Sequence, residues 1–172
     1  MKGLLDEMSY RAFENALPAG GELIMNAKQL ETLSAGECMA RLRAHEVGRV
    51  AFVSDDGAPI MLPVNYRLVE VAQRRWIAIR TRPGAQLDRA NLLVAFELDG
   101  IDRARHEGWS VLVRGTLHHV DPDAAGFRER FDPEPWLRDE CDAWLVIDPF
   151  SISGRALHAP EIDWPFDTEA YL

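Results

Sequence analysis

Cysteine is scarce in this chain: Cys38 and Cys141 are the two among 172 residues. They form no Cys-x-x-Cys pair and share no ligand-like spacing with the histidines, which argues against a structural zinc site. Two reduced thiols are the simplest reading, and with them a cytoplasmic location. Long apolar runs are also missing, so no segment reads as a membrane span. The first 17 residues mix Lys2, Asp6, Glu7, Arg11 and Glu14 with apolar residues and do not read as a signal peptide. Basic excess is absent too. Lys and Arg number 19 against 28 Asp and Glu, a net charge of −9, which argues against a nucleic-acid partner. No Gly-x-Ser-x-Gly occurs, and no motif pairs a cysteine with a histidine, so covalent hydrolase chemistry lacks support. His118 and His119 are neighbours on an expected strand and would point to opposite faces, which prevents them from sharing a metal easily.

What is present is an ordinary globular composition, 47% hydrophobic and 27% charged. Residues 1–29 read as an N-terminal arm. Leu4, Leu5, Met8, Ala12, Phe13, Ala16 and Leu17 fall near helical spacing before Pro18-Ala19-Gly20-Gly21 breaks the pattern. A domain is expected over 30–159, with an irregular tail over 160–172. Its first helix is announced by Ser34-Ala35-Gly36-Glu37, a capping box flanked by Leu33 and Cys38 at the staple positions, and runs to about Ala44 with Met39 and Leu42 facing inward. Strands are expected at 47–53, 59–69, 75–81, 92–98 and 109–120, then at 143–157 with a break near Pro149. Ser54-Asp55-Asp56-Gly57 reads as a hairpin turn. A short helix is expected near 85–90, a loop over 99–108, and a second helix from the Asp121-Pro122 cap to Phe131. Short connections imply antiparallel pairing. The fold class that follows is mainly β (α+β): a six-stranded antiparallel split β-barrel with flanking helices.

The most informative residues lie at one hairpin end. If the chain turns near Ala72-Gln73, antiparallel counting sets Asn65 opposite Arg80 and Val64 opposite Thr81. An amide, a phenol, a guanidinium and a hydroxyl then gather beside Pro83-Gly84, where a helix start would favour an anion. On the residues alone this corner reads either as a phosphate pocket or as a solvated strand edge. Trp109 reads by composition as core or interface filler, and Arg155 as a partner for one of the many carboxylates.

These blocks, taken in order, resemble a family. The runs Leu33-Ser34…Glu37-Cys38, Val47-Gly48-Arg49-Val50-Ala51-Phe52, Leu62-Pro63-Val64-Asn65-Tyr66, Arg80-Thr81…Gly84 and Gly108-Trp109-Ser110-Val111-Leu112-Val113…Gly115 are similar to the pyridoxamine 5′-phosphate oxidase-like FMN-binding split barrels. The likeness spans roughly residues 30–157. It implies FMN bound at the interface of a homodimer. Leu62 to Tyr66, thus Pro63, Val64, Asn65 and Tyr66, would run along the isoalloxazine ring. Arg80 and Thr81 would hold the phosphate, with Gln86 and Leu87 just beyond the turn. Trp109, Ser110 and Val111 of the second subunit would cover the flavin, and Ser153-Gly154-Arg155 would approach it.

One departure stands out: many relatives carry a lysine where this chain has Gln86, which removes a charge-assisted contact of about 1.5–3 kcal/mol. Arg82 or Arg89 are the candidates to replace it. No counterpart appears for basic residues that would clasp pyridoxamine phosphate. The resemblance therefore implies a flavin-dependent oxidoreductase acting on an unidentified small molecule, with reduced nicotinamide as a candidate donor and the flavin carrying the chemistry. Two alternatives stand beside it: a deazaflavin-dependent reductase of the same fold, and a non-catalytic flavin-binding dimer. No metal is expected.

Overall fold

The computed structural model describes residues 30–136 and 140–158; the helical arm and the tail, with Trp164 and Phe166, lie outside them. Strand β1 (Leu30–Thr32) is followed by helix α1 (Ala35–Ala44), then β2 (Val47–Val53), β3 (Pro59–Val71), β4 (Arg74–Thr81), β5 (Leu92–Asp102) and β6 (Glu107–His119). A 3₁₀ turn (Ala124–Gly126) leads into α2 (Phe127–Phe131), and β7 (Ala143–Leu157) closes the series. The sheet order is β1-β7-β4-β3-β2-β5-β6, and β6 also pairs with β7. All pairings are antiparallel. Six strands thus form a ring, with β1 appended to β7.

Helix α1 begins where its capping box predicts. The Glu37 amide donates to Ser34 Oγ at 3.3 Å, and the Ser34 amide donates to the Glu37 carboxylate at 2.8 Å. The bonds from Ser34 hold the Glu37 carboxyl below its usual range. The apolar face of the helix, with Cys38, Met39 and Leu42 buried, closes one end of the ring. There it meets Val50, Phe96, Val111, Val113, Leu145 and Ile147 in a continuous core. Close approach is possible because Gly154 carries no side chain: a Cβ there would lie 2.7 Å from Cys38 Sγ.

Four expectations need correction. Residues 82–91 form turns rather than a helix: the Ala85 amide donates to the Arg82 carbonyl, the Asp88 amide to the Ala85 carbonyl, and the Gly84 amide to the Asp88 side chain at 2.7 Å. The loop expected over 99–108 shrinks to a turn at 103–106. β5 and β6 extend through it as far as the Asp102–Glu107 pair, with polar residues tolerated on solvated strand faces. The helix expected from Asp121 is confined to 127–131, since Asp121 accepts from the Asp123 amide at 3.0 Å in a local turn and Gly126 adopts a left-handed φ of 68°. The expected break at Pro149 is a register shift within one continuous strand: Gly115 pairs with Pro149 and Arg114 with Ser151, leaving Phe150 as the extra residue.

Candidate functional site at the β3–β4 wedge

The hairpin turns at Ala72 and Gln73, both with positive φ (47° and 70°), as a two-residue turn of the I′ type requires. The register follows the counted one from Val71–Arg74 to Tyr66–Ile79 and ends there. Beyond that point the strands part. β4 continues along β7 through Arg80–Trp144 and Thr81–Ala143, while β3 continues along β2 through Asn65–Val47 and Val64–Gly48. Asn65 and Arg80 therefore flank a wedge rather than a ladder. Along Pro59–Asn65, the edge of β3 that faces β4 has no strand partner among the described residues. Backbone donors and acceptors on such an edge need partners.

Strand parity divides the candidate residues, because neighbours face opposite sides. Tyr66 and Val111 point inward and are buried, at 2% and 0% exposed. The Tyr66 hydroxyl donates to the Leu42 carbonyl at 2.9 Å, its ring meets Phe96 edge-on with centroids 4.8 Å apart, and burial pushes the phenol well above its ordinary pKa. Val64, on the same parity as Tyr66, packs against the core, and Leu87 is fully buried within it. Pro63 is exposed and Asn65 half-buried. Asn65 Oδ1 accepts from the Trp136 amide at 3.1 Å. Thr81 is half-buried, and Gln86 is exposed. Ser110 lies between Asp99 and Arg155 across the sheet, and Arg155 is exposed.

Arg80 has partners of its own. Its side chain is 10% exposed. Nε donates to the Cys141 carbonyl at 2.7 Å, and NH1 reaches both oxygens of Asp132 at 3.1 and 3.2 Å. Asp142 lies 3.6 Å from NH2, and the guanidinium stacks over Trp144, 4.8 Å from the ring centroid. Next to it, Arg82 pairs with Glu140, and Arg89 pairs with Asp55 through two bonds of 2.7 Å. The Gly84 amide, with His119 at 2.7 Å as a second partner, holds the Asp88 carboxyl below its usual range. Sequence reasoning missed Asp132 and Asp88. One sits in a proline-broken loop and the other in an expected helix, and neither carries a local signal of its partner.

Trp109 lies in a separate groove of about 450 Å³, lined by Arg41, His45, Gly100, Gly108 and Leu157 among others. Its ring is 5.1 Å from that of His45 and 5.1 Å beneath the Arg41 guanidinium. Gly100 makes room for it, since a Cβ there would come within 2.5 Å of the indole nitrogen. Trp109 also packs against the core. Arg41 and His45 were not singled out from the sequence. They become neighbours of Trp109 because α1 caps the ring beside the β5–β6 hairpin. Among the described residues, no group of three His, Cys, Asp or Glu side chains could hold a metal, and no helix is long and apolar enough to cross a membrane.

Comparison with known proteins agrees with this architecture. The family model described as pyridoxamine 5′-phosphate oxidase matches residues 34–156. An FAD-binding protein from Mycobacterium smegmatis is 30% identical, with a TM-score of 0.54 over 75% of this chain and 99% of that one. A candidate pyridoxamine 5′-phosphate oxidase from Corynebacterium glutamicum is 27% identical, with a TM-score of 0.62 over 77% and 97% of the two chains. An uncharacterized protein of Mycobacterium tuberculosis is 29% identical over 136 residues, which is 75% of this chain and 86% of its own length. On the match across 34–156, this chain belongs to the pyridoxamine 5′-phosphate oxidase family.

Proposed function

We propose that this protein is a flavin-dependent oxidoreductase that binds FMN in the β3–β4 wedge and works as a homodimer. The observation that carries this reading is the unpartnered edge of β3 from Pro59 to Asn65, next to Thr81 on the diverging strand. A flat heteroaromatic ring with donors and acceptors along one side suits such an edge. The likeness to an FAD-binding protein at 30% identity supports the same ligand class.

The donor set fits the ring better than the phosphate. Pro63 and Val64 offer apolar contact, Asn65 a polar side chain, and Thr81 and Gln86 neutral hydrogen-bonding groups. Tyr66 and Leu87 are buried beside the strands that border the site, and Val111 lies in the same core. Arg80 positions the segment that carries Asp132. Among the described residues this edge of β3 has no strand partner, which favours closure by Trp109, Ser110 and Arg155 of the partner subunit. When bound, a flavin supplies hydride and electron transfer. The chain's own contribution is to orient the ring, exclude water from one of its faces and leave the other open to a small substrate such as reduced nicotinamide.

Titration of the purified full-length protein with FMN, followed by flavin fluorescence, tests binding. Sedimentation tests assembly, with a species of twice 19.4 kDa expected. Saturable binding by a dimer, with oxidation of reduced nicotinamide in the presence of an acceptor, is the expected result. Uptake of a deazaflavin but not FMN would replace the cofactor assignment. Binding without turnover would leave a flavin carrier.

A further inference from the structure

We propose that this site holds its flavin by the ring alone. Arg80 is a tether for the Asp132–Trp136 segment rather than an anion receptor, so riboflavin and FMN bind with similar affinity. The inference rests on the flavin reading above and narrows it to ligands whose phosphate contributes little.

The corner is filled with charge of the protein's own. A phosphate seated there would need cations, and Arg80, Arg82 and Arg89 are the three that flank the Gly84 turn in sequence. Arg80 is engaged by Asp132 and by the Cys141 carbonyl, with Asp142 close by. Glu140 and Asp55 take the other two. Asp88 occupies the Gly84 amide, the backbone donor a phosphate could have used at this turn. Each of these three guanidiniums is thus already paired with a carboxylate, and the Gly84 amide with a fourth. Gln86, where a lysine would have tipped the balance, is neutral.

Arg80 does something else with its bonds. It is nearly buried, stacked on Trp144, and fastens Asp132 at the start of a segment whose Pro133 and Pro135 are buried. Arg67 binds the Asp132 carbonyl at 2.9 Å, and the Trp136 amide reaches Asn65. Two arginines and an amide thus hold the segment across the wedge. Removing Arg80 from Asp132 to serve a phosphate would take away one of these three holds.

The test compares affinities of the full-length protein for riboflavin and FMN. The expected ratio is below about tenfold, because one charge-assisted bond alone would separate the two by more than that. A preference for FMN of tenfold or more overturns the inference. The Asp132→Asn variant, which removes the charge paired with the guanidinium, is expected to gain an FMN preference of at least tenfold, and an unchanged ratio counts against the tether.

A second measurement does not depend on flavin. In ¹⁵N NMR, the Arg80 Nε–H signal of the unsubstituted protein is expected to stay still under millimolar pyrophosphate and to move in Asp132→Asn. Movement in the unsubstituted protein overturns the inference. If no flavin binds at all, the flavin reading fails, and the pyrophosphate titration still decides what Arg80 does.

Discussion

Replacing Tyr66 with phenylalanine separates a structural phenol from a ligand-binding one. The ring stays against Phe96 and only the hydroxyl is lost, so packing changes little. What disappears is the bond to the Leu42 carbonyl, one of the last-turn acceptors of α1 that has no partner within the helix. Tyr66 is 2% exposed and Leu42 1%, so water cannot readily replace the lost donor. An unsatisfied buried carbonyl costs roughly 1–3 kcal/mol. For a domain of this size that lowers Tm by about 4–10 °C. Urea unfolding with an unchanged m-value measures the loss directly. Flavin affinity should stay within about twofold, because the hydroxyl faces the core. A variant with full stability and at least tenfold weaker flavin binding would refute the placement and return Tyr66 to the site.

Other outcomes follow from the same geometry. Arg80→Met should destabilise the protein by about 2–3 kcal/mol in urea unfolding, since it strands Asp132; this is below the usual figure for a broken buried pair because Asp132 is 33% exposed. Gly115→Ala should cost about 1–3 kcal/mol by the same assay, because its Cβ would meet the Asp148 backbone oxygen at 2.5 Å, where no side chain can yield. Gly100→Ala should displace the Trp109 ring, read as a change in near-ultraviolet circular dichroism with the far-ultraviolet spectrum preserved. The depressed Asp88 carboxyl stabilises the 83–88 turn fully above its ordinary value of 3.8, and this contribution is lost as pH falls through the lower folded-state value. The Gly84 amide resonance should therefore titrate with a midpoint below 3.8, and a midpoint above it would contradict the bond.

Much of the frame is legible because its signals are local. The capping box at Ser34 and Glu37 involves residues three apart, and both its bonds form. The two-residue turn at Ala72-Gln73 sets the register of β3 on β4 by counting, and the pairs obey it as far as Tyr66–Ile79. The candidate site was less legible. Runs such as Val64–Tyr66 and Trp109–Val111 name positions correctly as a block, but alternation turns every second side chain into the core. Composition does not say which parity faces in until the strands are paired.

By itself, the sequence determined the antiparallel order of strands, the helix that closes one end of the ring and the family. All of these rest on short-range spacing and on blocks that keep their order. Only the tertiary structure decided where the β3–β4 ladder stops and which carboxylate holds Arg80. Asp132 lies 52 residues from Arg80 in the chain, and no periodicity or turn signal links them. Their contact exists because α2 and the proline segment return across the wedge, and ion pairs of that kind are settled by which surfaces the fold brings together.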